Sequence, residues 1–81
     1  MECFKEIKMS NLEKIQQNIT KGIVTYIYEE FEEAVIKILP DETVFIKRKG
    51  NREQKINSNS KTVFDIELGG DFVTEEFYEN Y

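Results

Sequence analysis

The pair Gly50-Asn51, set between Thr43 to Lys49 and Arg52 to Asn57, constrains this chain more than any other local feature. Glycine takes the positive φ that a two-residue hairpin turn demands at its first position, and both flanks are rich in residues that suit strands. A type II′ turn here predicts Arg48 opposite Glu53, Lys47 opposite Gln54 and Phe45 opposite Ile56. One antiparallel pair is thereby set, and the rest of the 81-residue chain has to build a core around it. A chain of this length makes one domain, residues 1–81, and buries only about 60% of its unfolded surface.

The N-terminal half supplies a helix. Ser10 and Glu13 have capping-box spacing, Leu12, Ile15 and Ile19 recur on one face, and Gly22 follows as a stop. These signals predict a helix over about residues 11–21, with 1–9 as a loose lead-in or short extra element. Residues 23–39 read two ways. Ile23, Ile27, Phe31, Val35 and Ile38 make a helical stripe, whereas Ile23 to Tyr28 is dense in β-branched and aromatic residues. The preferred reading is a strand at 23–28, a turn, and a strand at 34–39; a helix through 24–34 stays open. Pro40 to Thr43 then turns the chain.

Beyond the hairpin, Ser58 to Lys61 reads as a polar loop. Thr62 to Leu68 alternates, with Phe64, Ile66 and Leu68 on one side and Asp65 and Glu67 on the other, which predicts a strand. Gly69-Gly70 turns the chain into a short return strand at 71–73. Thr74 caps a last helix whose first turn carries Glu75 and Glu76. The expected fold is α+β: a small antiparallel meander of four or five strands, with one N-terminal helix on a face and a short C-terminal helix.

Several chemistries are excluded. There is no histidine, so nucleophile–histidine pairs cannot form within the chain, and Cys3, the sole cysteine, cannot make an intrachain disulfide. A single cysteine fits a reducing cytoplasm. No P-loop, G-x-G-x-x-G or EF-hand spacing occurs. The longest apolar run, Ile23 to Tyr28, is far short of the roughly 18 residues of a membrane span. Neither an enzyme nor a cofactor or metal site is expected.

Charge is the most informative property. Residues 44–61 hold six basic side chains against one acidic, a balance of +5, and the remainder holds five against fifteen, −10. Two candidate surfaces follow. Acidic side chains surround aromatics at Glu29, Glu30, Phe31, Glu32 and Glu33, and again at Glu75, Glu76, Phe77, Tyr78 and Glu79; such patches fit a basic protein surface. Set against that, Phe31 and Phe77 can be core residues flanked by solvated glutamates. The hairpin cations Lys47, Arg48, Lys49, Arg52 and Lys55 fit phosphates, though they fit equally an exposed tip guarded against edge pairing. The acidic body disfavours nucleic acid. These features together predict a non-enzymatic regulatory or inhibitory protein that binds another protein, of the kind phages and mobile elements encode. Its target would be a basic surface such as that of a nucleic-acid enzyme. The alternatives are a nucleic-acid-binding hairpin, or a homodimer joined through strand edges.

Overall fold

The computed structural model describes residues 10–81, so the expected lead-in and Cys3 lie outside the described residues. Helix α1 is Asn11–Lys21. The Ser10 hydroxyl accepts from the Glu13 N–H at 3.2 Å and the Glu13 carboxylate accepts from the Ser10 N–H at 3.0 Å, closing the capping box. Gly22, at φ 75°, ends the helix in the left-handed conformation, and the N–H groups of Gly22 and Ile23 return to the carbonyls of Ile19 and Asn18. Ser10→Ala is expected to remove about 1 kcal/mol and lower Tm by about 4–8 °C, measurable by scanning calorimetry.

Residues 23–39 form strand, turn and strand, and the helical alternative does not occur. Strands β1 (Thr25–Glu29) and β2 (Ala34–Ile38) pair antiparallel with Ile27 opposite Ile36, followed by β3 (Val44–Arg48) and β4 (Gln54–Ile56). The hairpin register is shifted by one residue from the expected one. Asn51 N–H closes on the Arg48 carbonyl at 2.8 Å, which puts Gly50 at the second central position with φ 79°, where a type II turn takes positive φ. Phe45 therefore faces Lys55, and Ile56 faces Val44. The slip has a packing reason. A one-residue change of register moves a side chain to the other face, and Ile56 is needed on the core face, where it packs against the buried cluster.

The second correction is larger. Residues 62–68 are not a strand but most of helix α2 (Lys61–Gly69), capped by Ser60, whose hydroxyl accepts from the Val63 N–H at 3.2 Å. Val63 and Ile66, three apart, are fully buried, while Phe64 and Leu68 are about half exposed. The short strand β5 (Asp71–Phe72) does not fold back on this segment. It pairs antiparallel with β1, giving one five-stranded sheet in the order β4-β3-β2-β1-β5. Helix α3 (Glu75–Asn80) closes the chain, with the Thr74 hydroxyl accepting from the Phe77 N–H at 3.0 Å.

The result is an α+β fold with helices on both faces of an antiparallel sheet. On one face Ile27, Ala34, Ile36, Ile38, Val44 and Ile46 are covered by Ile15 of α1 and by Val63 and Ile66 of α2. Strand alternation sends Tyr26, Tyr28, Val35, Lys37, Phe45 and Lys47 to the opposite face, where α3 docks through Tyr78.

Candidate protein-docking surface

The β1–β2 connection carries the first acidic patch. Its backbone closes with Glu33 N–H donating to the Glu30 carbonyl at 3.1 Å, and the Glu29 carboxylate accepts from the Glu32 N–H at 2.9 Å. Glu33 sits at φ 50°, a region that costs a non-glycine residue about 1 kcal/mol or more. At the apex Phe31 is 94% exposed. Its place is therefore on the surface and not in the core.

The same end of the sheet carries the basic hairpin tip, because Ala34 at the start of β2 pairs with Arg48 at the end of β3. Arg48 Nη1 donates to the Glu32 carbonyl at 3.2 Å and Lys49 N–H to the Glu33 carbonyl at 3.4 Å. Charges that are segregated along the sequence are thus neighbours in space. Lys49, Arg52 and Lys55 are exposed. Lys47 is turned to the other face, where its ammonium donates to the carbonyls of Tyr78 at 2.6 Å and Glu79 at 3.2 Å. These carbonyls belong to the last turn of α3, that of Tyr78 also accepting from the Tyr81 N–H at 3.3 Å, and a cation there is favoured by the helix dipole.

The second acidic patch divides. Glu75, Glu76 and Phe77 face outward, Phe77 being 38% exposed, but Tyr78 is 1% exposed. Tyr78 belongs to the interior and offers nothing to a partner. Its ring lies 5.3 Å from that of Tyr26 and beneath the ammonium groups of Lys37 and Lys47, at 5.3 and 4.9 Å. Its hydroxyl donates to Glu53 at 2.5 Å. Burial, with the Glu53 carboxylate second, pushes the Tyr78 hydroxyl far above the usual tyrosine range. The same hydrogen bond holds Glu53 below the usual carboxylate range, helped by Lys37 at 3.1 Å. Glu53 therefore serves Lys37 and Tyr78 rather than the expected Arg48.

What sequence reasoning did not bring forward is an aromatic bridge between the patches. Tyr28 contacts Phe77 edge-on at 5.3 Å and Tyr81 at 5.5 Å, and Phe77 stacks on Tyr81 at 5.8 Å. Tyr28 adjoins Glu29, and the Tyr81 hydroxyl, raised mainly by burial and by Tyr28, also feels Glu33. Period-2 alternation from Tyr26 was the available signal for Tyr28. The outcome is an aromatic cluster of Tyr28, Phe77 and Tyr81 beside the outward-facing Glu76, joined to the acidic turn through Glu29, the chain neighbour of Tyr28. Among the described residues no group of three or more carboxylates or cysteines is arranged to hold a metal ion, and no helix is long and apolar enough to cross a membrane.

No family model and no curated protein matches the sequence. Among solved structures, the fold is similar to a chain in the crystal structure of the complex between the Type VI effector Tas1 and its immunity protein. The TM-score is 0.66 at 22% identity, over 70% of this chain and 79% of that one. At that identity the likeness is one of fold.

Proposed function

We propose that this chain is a small inhibitory protein, of the immunity type, that acts without catalysis by binding another protein. The observation that carries the proposal is Phe31, 94% exposed on a braced turn with Glu29, Glu30, Glu32 and Glu33. An aromatic that fills a partner pocket while carboxylates meet cations is the usual anatomy of an interface hot spot. The similarity to a fold found in an effector–immunity complex supports the same reading. The partner's complementary surface is a pocket rimmed by lysine and arginine, such as the substrate cleft of an enzyme acting on an anionic molecule. The sole cysteine supports a cytoplasmic setting. A nucleic-acid role for the hairpin is the weaker reading. Lys47 is tied to the end carbonyls of α3, Arg48 donates to the Glu32 carbonyl, and Lys49 follows it beside the acidic turn.

Phe31→Ala is expected to weaken partner binding by about 30-fold, the effect of losing a hot spot of about 2 kcal/mol. It should leave Tm unchanged, since an exposed side chain contributes within about 0.5 kcal/mol. Charge reversal of Glu30, Glu33, Glu75 and Glu76 to lysine should abolish capture of the partner by the tagged chain. The measurement is capture with mass-spectrometric identification, followed by calorimetric titration of the purified partner. Capture undiminished in both variants would remove the acidic turn from the interface.

A further inference from the structure

The sheet end opposite Phe31 carries a second feature, independent of the docking turn. Ile38 and Val44 flank the β2–β3 connection there, and with Leu12 and Ile19 of α1 they wall a groove of about 280 Å³. Its polar lining includes the carboxylates of Glu42 and Glu67 and the amide of Asn59, and none of the described residues lining it is cationic. The groove stands at the lower edge of the roughly 300–1,000 Å³ of small-molecule sites, a scale that admits one long side chain. Half of its lining is aliphatic and half is oxygen-rich, which is the complement of a side chain with an apolar stem and a charged head. Glu67 is half-buried. Burial, then the nearby Glu42, raises its carboxyl above the ordinary glutamate range. A cation entering the groove would offset both effects.

We propose that this groove seats an arginine side chain supplied by a protein partner. The methylene stem lies along Leu12, Ile19 and Ile38, and the guanidinium fork donates to Glu67 and Glu42. Arginine is favoured over lysine because its planar fork serves two acceptors at once and is less strongly hydrated. The net charge of −5 adds attraction for a basic segment.

The test is titration of the ¹⁵N-labelled full chain with the tripeptide acetyl-Gly-Arg-Gly-amide. The same peptide carrying citrulline, the neutral isostere, is the control. Saturable shifts are expected at the amides of Leu12, Gln16, Asn59 and Glu67, weakening as salt is raised. Glu67→Gln should bind at least about tenfold more weakly, whereas Asp71→Asn, on the exposed edge strand, should bind as the parent does. Absence of saturable shifts up to about 10 mM peptide, or equal shifts from the citrulline peptide, overturns the proposal. N-propylguanidinium, which carries the stem and fork alone, should shift the same amides, and its failure to do so would overturn the assignment of the groove to the side chain. None of these outcomes bears on Phe31, so the two surfaces stand or fall separately.

Discussion

Gly70→Ala is expected to cost about 3 kcal/mol or more and to lower Tm by about 10–25 °C, the largest loss from the smallest change in volume. Gly70 joins α2 to β5, at φ −90° and ψ 177°, a conformation open to any residue. The cost is therefore steric. A Cβ built there would lie 2.6 Å from Ile27 Cγ2, 2.7 Å from the Ile66 carbonyl and 2.7 Å from the Tyr28 carbonyl. The isoleucine methyl can rotate away, but both oxygens are backbone, one in the last turn of α2 and one in β1. Relief requires β5 to lift from β1 or α2 to unwind. It would also disturb α1, because Asn11 Nδ2 donates to the carbonyls of Glu67 at 3.0 Å and Gly70 at 2.9 Å. Gly50→Ala makes the comparison. Nothing lies within 4 Å of a Cβ there, and its φ of 79° alone costs about 1–2 kcal/mol. Thermal and urea melts followed by circular dichroism separate the two. If Gly70→Ala melted no lower than Gly50→Ala, the close approach of α2 and β1 would be refuted.

The elements with local signals were legible. Ser10, Glu13 and Gly22 marked α1, and Thr74 marked α3, because a cap satisfies backbone groups within a few residues of itself. Residues 62–68 misled because Asp65 and Glu67 interleave Phe64, Ile66 and Leu68 in strict alternation. The buried pair is instead Val63 and Ile66, and Ser60, read as loop, is the helix cap. What decided the matter was non-local. The strand positions beside β1 were already taken by β2 and β5, and the inner face of the sheet needed a cover that a strand could not supply.

The candidate site was legible in composition and illegible in exposure. The acidic run around Phe31 was plain, but a stripe of Ile23, Ile27, Phe31, Val35 and Ile38 could equally have buried that ring. Strand pairing settles it by placing Phe31 in the turn. The adjacency of acidic and basic tips follows from the β2–β3 register, which no local pattern in the sequence shows. Tyr78 looked like a docking aromatic because its partners, Glu53 and Lys47, lie 25 and 31 residues away along the chain.

Those distant partners make Tyr78 the buried anchor of α3, with the contacts of Phe77 and Tyr81 on Tyr28 beside it. Tyr78→Ala is expected to cost about 3–5 kcal/mol, the usual loss for a buried aromatic. A six-residue helix has no stability of its own, so the loss appears first as release of residues 75–81. Amide exchange there should rise by orders of magnitude before the sheet itself melts. Tyr78→Phe keeps the ring under Lys37 and Lys47 and loses only the hydroxyl bond to a carboxylate, worth about 1.5–3 kcal/mol. The two groups of that bond set the pH window in opposite senses. Glu53 is depressed on folding, so its contribution is complete above the ordinary glutamate value of about 4.3 and is lost as pH falls below it. The Tyr78 hydroxyl is raised on folding, so its contribution is complete below the ordinary tyrosine value of about 10 and is lost as pH climbs beyond it. Docking of α3 should therefore hold across neutral pH and loosen at both extremes, and Tyr78→Phe should shrink the alkaline limb to the smaller part owed to Tyr26 and Tyr81 while leaving Lys37 to hold Glu53 on the acid side. Near-ultraviolet dichroism of the tyrosines between pH 3 and pH 11, about one unit beyond each limit, reads this once phenolate absorbance, recorded alongside, has separated ionisation from undocking. An alkaline limb undiminished in Tyr78→Phe would assign it to the other tyrosines and break the link between this hydrogen bond and the docking of α3.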